Sequence, residues 1–341
     1  MKKQPTTEID SSEIDDYLKQ ANHYNNNNDY KNALLYLKKA VKLNDKCYIC
    51  YHNIANIYDK LNKFELSLFY LQKAIKINPD FSDALFSMAQ CYRKMKNENK
   101  MLEYLNKTLE KTPEHPGANH LLASTNKETS SQYSSEYAED LFDRYADHFE
   151  NHLVNSLQYK VPSIIKEKLQ SLNPPKDSKI LDLGCGTGLL GKAIIDMFPN
   201  IVGVDISTNM IKETRKKDIY TTLYIDDIHD FLLENVKEFD LILAADVFIY
   251  IGDLQVVFSS VRKCLNDNGY FIFTIELSTE VNTSDHKLAK SGRFSHTMEY
   301  IESLCKEVGF DVLDKEEIIL RQENQIGQKG AVFTLKNLSV R

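Results

Sequence analysis

A 34-residue period in the first third of the chain limits the possible fold more than any other feature. Small residues recur at Ala21, Ala55, Ala89 and Ala123, and a tyrosine follows each of the first three by three positions. Further columns at the same spacing are Leu37, Leu71 and Leu105; Ala40, Ala74 and Thr108; and Asp45, Pro79 and Pro113. In each unit a small residue lets two amphipathic helices cross closely and an aromatic ring fills the groove; in the second and third units a proline ends the second helix. The period therefore predicts stacked helix pairs.

This pattern resembles the tetratricopeptide repeat, whose period is also 34 residues, over roughly residues 14–115. A further helix at 116–127 is expected to cap the last apolar face. The resemblance implies a short solenoid whose concave face binds a protein or peptide; the alternative is an array that only mediates dimerisation or adds stability. Carboxylate-clamp repeats hold three cations, and none of them is present at the matching positions, so we expect no recognition of that type. Those positions are Leu18, Asn22, Asn53, Asp83 and Phe86.

Composition excludes several classes of protein. No apolar run approaches the ~18–20 residues that a membrane span needs, and the polar start is unlike a signal peptide. The net charge of −7 argues against a general nucleic-acid binder. Six cysteines do not make a disulfide framework, which favours a cytoplasmic protein. The pair Cys47 and Cys50 lacks the second pair that a zinc site needs, so no metal site is predicted.

From residue 179 onward, short apolar strands alternate with amphipathic helices. The predicted strands are 179–183, 201–205, 221–225, 239–245, 270–276, 311–321 and 331–335. Such alternation implies right-handed crossovers and a largely parallel sheet that binds ligands at the carboxyl ends of its strands. The predicted fold class is α + α/β, with helical repeats at 14–127, a polar linker at 128–136 and an α/β domain at 137–341.

The first of these strands runs into the motif D-L-G-C-G-T-G at residues 182–188, and a helix follows. Three alternate glycines let the backbone pass close beneath a ligand, where a Cβ atom would collide. The start of the following helix adds a positive end. Asp205, at the tip of the second strand, can accept both ribose hydroxyls of a nucleoside. The motif therefore predicts a nucleoside-containing ligand.

NAD is the rival ligand, because Gly186, Gly188 and Gly191 also fit the dinucleotide fingerprint G-x-G-x-x-G. That register would end the strand on polar residues, leave Gly184 without a use and bring the Asp182 carboxylate close to a pyrophosphate. A cationic ligand reverses the electrostatics, since a carboxylate suits an ammonium and a sulfonium. We therefore favour S-adenosylmethionine over NAD.

With this motif, residues 137–341 resemble the class I S-adenosylmethionine-dependent methyltransferases. The resemblance implies a Rossmann-like seven-stranded sheet with an antiparallel last strand. It also implies that Asp182 lies near the methionine amino group, that Asp205 and Ile206 hold the ribose and one adenine face, and that Asp227 or Asp226 meets the adenine amino group. The implied cofactor-binding residues are Asp182, Gly184, Cys185, Gly186, Gly188, Asp205, Ile206, Asp227, Ile228, Ala244 and Tyr145.

A narrower resemblance covers nearly the whole chain. The segments L-F-D-R-Y-A at 141–146, A-A-D-V-F-I-Y-I-G-D-L at 244–254 and S-G-R-F-S-H at 291–296 are similar to a family of methyltransferases with N-terminal tetratricopeptide repeats. This match adds to the architecture and leaves the substrate open. Within the first segment, Phe142 and Tyr145 are expected either to cover the cofactor or to pack in the core.

Methyl transfer from a sulfonium is an in-line displacement, so positioning supplies much of the rate effect. A general base is needed only if the acceptor is protonated at neutral pH. His296 is one candidate base, with capping of the following helix as its alternative; Tyr250 is the other, with packing as its alternative. Asp246 and Arg293 are candidates for binding the substrate, although Arg293 could instead pair with acidic residues of the same domain.

Three functions follow from the sequence. The favoured one is a methyltransferase whose repeats recruit a protein or peptide acceptor. The second is a small-molecule methyltransferase whose repeats serve assembly. The third is an adaptor that keeps the fold without the activity.

Overall fold

The computed structural model describes residues 11–125, 135–151, 153, 157–278, 285–289, 291–323 and 326–338. The chain divides into two compact units, Met1–Leu122 and Ala123–Arg341. No helix of the described residues is long and apolar enough to cross a membrane.

The first unit consists of helices that pair as the repeat predicts. They are α1 (Ser11–Asn26), α2 (Tyr30–Leu43), α3 (Tyr48–Lys60), α4 (Phe64–Ile77), α5 (Ser82–Lys94), α6 (Glu98–Lys111) and α7 (Pro116–Thr125). The small residues Ala21, Ala55 and Ala89 are buried where the paired helices cross. Asp29 and Asn97 begin α2 and α6 by accepting a hydrogen bond from the backbone N–H three residues on. The predicted helical solenoid is confirmed.

The tyrosine column of the repeat has a clear packing role. The tyrosine of the first helix in each pair stacks on a tyrosine of the second helix, with ring centroids 5.4, 5.5 and 5.5 Å apart. The stacked pairs are Tyr24 with Tyr36, Tyr58 with Tyr70, and Tyr92 with Tyr104. Each first-helix tyrosine lies two residues before its helix ends, so the same contact joins each helix pair near the turn between its two helices.

Cys47 and Cys50 lie at the start of α3 and are joined by a disulfide with an S–S distance of 2.11 Å. The Cys47 sulfur also accepts a hydrogen bond from the backbone N–H of Cys50, so it caps the helix. Cys50 is buried against the first repeat together with Ile14 and Ala40. The pair thus has a packing role at the junction of the first two repeats.

The second unit begins with helices α8 (Ser135–Asn151) and α9 (Val161–Leu172) and then alternates strands with helices. Its strands are β1 (Ile180–Leu183), β2 (Ile201–Asp205), β3 (Thr222–Ile225), β4 (Phe239–Ala244), β5 (Leu265–Glu276), β6 (His286–Leu288), β7 (Phe294–His296), β8 (Phe310–Glu323) and β9 (Ile326–Asn337). Its remaining helices are α10 (Leu189–Ile194), α11 (Thr208–Arg215), α12 (Ile228–Glu234), α13 (Gln255–Cys264) and α14 (Met298–Val308).

Seven of these strands form one sheet in the order β3-β2-β1-β4-β5-β9-β8. β1 to β5 are parallel, and β9 runs antiparallel to both of its neighbours. Two separate apolar clusters are packed around the sheet, and buried residues of β1 and β4 contribute to both. The predicted seven-stranded Rossmann-like sheet is confirmed.

The sequence did not predict the hairpin of β6 and β7. Each strand has three residues, which is too short to show an alternating pattern. The hairpin is held by tertiary contacts instead, since Leu277 bridges to His296 and Ser278 donates a backbone hydrogen bond to the same residue. Ser135 and Glu136 of the predicted linker already belong to helix α8. Residues 128–134 of that linker lie outside the described residues.

Candidate active site

The loop between β1 and α10 has a backbone that only glycine adopts readily. Gly184, Gly186 and Gly188 have φ angles of 67°, 53° and 82°, all in the left-handed region. A Cβ atom on Gly184 would lie 2.6 Å from Cγ2 of Val247, so this loop passes directly against the segment that follows β4. The loop therefore lies at the carboxyl edge of the sheet, where a ligand is expected in this fold.

Asp205 ends β2 and holds the glycine loop in place. Its Oδ2 accepts a hydrogen bond from the backbone N–H of Gly186 at 2.8 Å, and its Oδ1 accepts one from the N–H of Ser207 at 2.9 Å. Burial raises the pKa of Asp205 to about 6. Each carboxylate oxygen keeps a second lone pair, so the side chain can still accept two further hydrogen bonds.

Asp182 is buried in the middle of the site. The hydroxyl of Tyr220 donates a hydrogen bond to Asp182 Oδ2 at 2.6 Å. Burial raises the pKa of this carboxyl to about 7, and the Tyr220 hydroxyl partly opposes that rise. The Tyr220 ring also contacts the backbone at Gly191, where any Cβ would collide with it. Sequence reasoning missed Tyr220, because a single tyrosine before a strand carries no motif.

The remaining cofactor candidates lie around this centre. Cys185 is buried, and its backbone N–H bonds to the carbonyl of Val204 at 3.0 Å. Ile206 is half-buried, while Ile228 and Ala244 are buried. The Tyr145 side chain lies outside the described residues.

Asp227 has a local structural role. Its carboxylate accepts a hydrogen bond from the backbone N–H of His229 at 2.7 Å and so caps α12. Asp226 is half-buried, and its backbone N–H bonds to the carbonyl of Asp205. Both carboxylates lie at the tip of β3, and the choice between them for the adenine amino group stays a prediction.

Helix α8 covers this edge of the sheet. Asp143 accepts hydrogen bonds from the Ser207 hydroxyl at 2.5 Å and from the Asn209 N–H at 3.1 Å, which joins α8 to the start of α11. The centroids of the Phe142 and Tyr250 rings lie 4.9 Å apart. Phe142 thus contacts the segment after β4 as well as Phe149 of its own helix.

The two predicted substrate-binding residues belong to one ion network. We use this name for Asp246, Glu276, Arg293, Arg321 and Glu323. Arg321 is 3% exposed and donates to Asp246 at 3.0 Å, to Glu276 at 2.6 Å and to Glu323 at 2.8 Å. Arg293 donates to Glu276 at 3.3 Å and also to Glu323. These contacts match the alternative expected for Arg293, which is pairing with acidic residues of its own domain.

Three members of the network were missed by the sequence analysis, although a signal was present. Glu276 and Arg321 are the last residues of two predicted strands, at the edge where the ligand was expected. These two strands are far apart in sequence, so only the order of strands in the sheet brings their ends together. Asp246 itself has a φ of 58° and accepts a hydrogen bond from the Thr274 hydroxyl at 3.0 Å.

Neither candidate base is exposed, since Tyr250 is half-buried and His296 is buried. Burial raises the pKa of Tyr250, which favours its neutral hydroxyl. His296 is fully buried, and its Nε2 lies 3.0 and 2.9 Å from the carbonyl oxygens of Ile251 and Gly252. Because carbonyls only accept, Nε2 carries the proton, and burial lowers the pKa of the ring to about 4. Helix α14 is capped by the Thr297 hydroxyl, and not by His296.

Comparison with known proteins identifies both units. Residues 174–326 match the family model described as a methyltransferase domain. Residues 17–47, 48–81 and 70–103 match three models of the tetratricopeptide repeat. Among the described residues, no group of three or more His, Cys, Asp or Glu side chains is placed to hold a metal ion.

Curated relatives match the second unit. A malonyl-[acyl-carrier protein] O-methyltransferase of Legionella pneumophila is 29% identical over 152 residues, which cover 43% of this chain and 52% of the relative. A ubiquinone biosynthesis O-methyltransferase of Pelagibacter ubique is 32% identical over 124 residues, which cover 35% of this chain and 52% of the relative. The chain thus spans about half the length of these relatives.

A solved structure of magnesium protoporphyrin IX methyltransferase from Synechocystis, with bound SAM, is 15% identical. The match covers 62% of this chain and 100% of that chain, with a TM-score of 0.47. The family matches and the strand order lead to one conclusion: the chain carries three tetratricopeptide repeats followed by a methyltransferase domain whose sheet has the class I strand order.

Proposed function

We propose that this protein is a cytoplasmic S-adenosylmethionine-dependent methyltransferase that acts on a protein or peptide acceptor. Residues 137–341 hold the cofactor, and residues 14–127 recruit the acceptor through the concave face of the repeats, without a carboxylate clamp. The observation that carries the proposal is the glycine loop with its left-handed backbone, held by Asp205 at the carboxyl edge of the sheet.

The residues of the site fit the cofactor. Gly184, Gly186 and Gly188 leave room for the methionine part, and the spare lone pairs of Asp205 suit the two ribose hydroxyls. Asp182 supplies a carboxylate for an ammonium group, and Tyr220 holds that carboxylate in position. When bound, S-adenosylmethionine supplies a methyl group on a positively charged sulfur.

The acceptor lies between helix α8 and the ion network in this proposal. Asp246 and Arg293 orient it, and Tyr250 contacts it from the segment after β4. His296 is the second candidate for a proton acceptor, through its unprotonated Nδ1. The contacts of Nε2 with Ile251 and Gly252 support a positioning role for His296 as well, since these residues follow Tyr250 directly.

A small-molecule acceptor is the second candidate function. The names of the relatives support it, since they refer to malonyl-[acyl-carrier protein] and to ubiquinone biosynthesis. The first of these names also includes a carrier protein, so a small acceptor and a recruited protein are compatible. An adaptor without activity is the least supported reading, because the glycine loop, Asp182 and Asp205 are all in place.

Calorimetry with S-adenosylmethionine tests the cofactor site. We expect binding by the full chain and at least about a tenfold loss of affinity in Asp205→Asn, because the variant loses a charged acceptor. Asp230→Asn is the matched control, since Asp230 is exposed on α12. Absence of binding by the unaltered chain would refute the proposal.

Incubation of a cell extract with radiolabelled cofactor tests the acceptor class. Label that enters the protein fraction supports the protein acceptor, and label that enters the small-molecule fraction supports the second candidate. Cofactor binding without labelling of either fraction supports the adaptor.

A further inference from the structure

The first unit has a lysine-rich surface on the second helices of its first two repeats. We call Lys38, Lys39, Lys42, Lys73 and Lys76 the basic face; all five are exposed. Lys38, Lys39 and Lys42 share one side of α2, and Lys73 and Lys76 occupy the same side of α4, at positions 34 residues after Lys39 and Lys42. The repeat therefore carries the same stripe from α2 to α4.

The charge of this stripe is not balanced within the unit. Helix α2 contains four lysines and no acidic residue. Among the residues that the structure describes, none of the five lysines forms an ion pair, whereas Lys107 on α6 pairs with Glu103 at 2.7 Å. Like charges at i and i+4, such as Lys38 and Lys42, destabilise a helix slightly. Lys39 and Lys73 lie over the rings of Tyr36 and Phe69, but these contacts leave the positive charge of the stripe without a described counter-charge.

Exposed apolar side chains border the basic face. Leu35 and Phe69 hold equivalent positions in α2 and α4, one turn before Lys39 and Lys73, and both are 48% exposed. The Lys73 ammonium lies 4.7 Å above the Phe69 ring. The surface thus offers positive charge beside apolar area.

A groove of about 380 Å³ between α4, α5 and α6 continues the surface. Its floor is apolar, with Ile75, Leu85 and Met88, and Lys76 of the basic face stands on its rim. Such a recess accepts an apolar side chain while the lysine reaches a neighbouring carboxylate.

We propose that the basic face binds an acidic amphipathic segment of a partner protein, with carboxylates on the lysines and an apolar side chain in the groove. In α6 the position equivalent to Lys76 is Glu110, and Lys107, equivalent to Lys73, is paired with Glu103. The stripe therefore ends after two helices, a length that suits one short segment better than an extended anionic membrane. This inference goes beyond the proposed function, because it requires neither cofactor nor methyl transfer.

A fluorescent synthetic peptide of about 18 residues tests the proposal, with leucines at i, i+3, i+4 and i+7 and glutamates elsewhere. A second peptide has glutamine in place of every glutamate. We expect the full chain to bind the glutamate peptide about tenfold more tightly than the glutamine peptide, with an affinity that falls between about 50 and 500 mM salt.

The double variant K42E/K76E should lose at least about tenfold in affinity for the glutamate peptide, because two attractions become repulsions. K263E/K306E is the control, since it makes the same charge change at exposed lysines of the second unit. The melting temperatures of both variants show that they fold. No binding, equal binding of both peptides, or equal loss in both variants would overturn the proposal.

Vesicles of phosphatidylcholine with about one third phosphatidylserine serve as the competing probe. We expect no binding that depends on Lys42 and Lys76. Vesicle binding that K42E/K76E abolishes, together with no binding of the glutamate peptide, would assign the face to a membrane and refute the inference. Because no cofactor is present, these results stand apart from the calorimetry above.

Discussion

Two buried carboxylates set the properties of the site at the scale of single residues. Burial raises the pKa of Asp182 to about 7 and that of Asp205 to about 6. The folded state therefore binds these protons more tightly than the unfolded chain does. The contribution of both groups to the free energy of unfolding is greatest at low pH, and it is lost as the pH rises through about 6 and about 7. Cofactor binding has the opposite dependence, since it uses the ionised carboxylates.

We predict that the affinity for S-adenosylmethionine falls as the pH is lowered through about 6, because protonation of Asp205 removes its charge and an acceptor. Calorimetry at a series of pH values between about 8 and 5 measures this. Asp205→Asn should bind weakly and lack the step near pH 6. A constant affinity of the unaltered chain over this range would contradict the role of Asp205.

Tyr220→Phe should lower the free energy of unfolding by about 2 kcal/mol, because it removes a hydrogen bond to a buried carboxylate. Denaturation in urea measures the change. Tyr224→Phe is the control, since Tyr224 is exposed and loses only an exposed hydroxyl. Equal effects of the two substitutions would show that the Asp182 contact contributes nothing.

At the scale of elements, the ion network joins strands that the chain visits far apart. Asp246 follows β4, Glu276 ends β5, and Arg321 and Glu323 lie at the end of β8. β9 lies between β5 and β8 in the sheet, so Arg321 reaches past one strand to contact Glu276. A buried charge is costly unless it is paired, and here every guanidinium and carboxylate has a partner of opposite charge.

Arg321→Gln should therefore cost about 3–5 kcal/mol of stability, because Asp246 loses its described cation and the buried Glu276 keeps only its longer contact with Arg293. Thermal and urea denaturation measure the loss. Arg215→Gln, at an exposed position of α11, should change stability by less than about 0.5 kcal/mol. The network would have no structural importance if both substitutions had the same small effect.

At the scale of the whole molecule, each of the two units has apolar clusters of its own. The first unit buries Leu71, Ala74 and Met88 in one cluster, and the sheet of the second unit has a cluster on each face. Each repeat buries its apolar side only against the next one, so the helix pairs depend on one another for stability.

Leu71→Ala should destabilise the first unit by about 2–5 kcal/mol, because it opens a cavity at a fully buried position of α4. Denaturation followed by circular dichroism measures this loss of stability. Leu66→Ala is the control on the same helix, since Leu66 is 42% exposed. A similar, small loss in both variants would contradict the assigned core.

Most of the fold was predictable, because its signals are local. The 34-residue columns, the alternation after residue 179 and the glycine motif each depend on residues within one or two elements, where backbone geometry limits the choice. The hairpin of β6 and β7 was not predictable, since its three-residue strands show no period and are held by contacts with the end of β5.

The residues of the site were likewise predictable only where they lie in a local sequence motif. Gly184, Gly186 and Asp205 lie in motifs, and the structure brings them together. Tyr220 and Arg321 have no motif, and their partners Asp182 and Asp246 are 38 and 75 residues away in sequence.

The sequence by itself determined the two kinds of domain, the order of their elements and the loop that marks the cofactor site, because periodicity and the freedom of glycine operate over short stretches of chain. Only the tertiary structure decided which charges meet in the interior. The order and direction of the strands in the sheet, which differ from their order in the chain, bring the ends of β4, β5 and β8 to the same edge, with only β9 between β5 and β8.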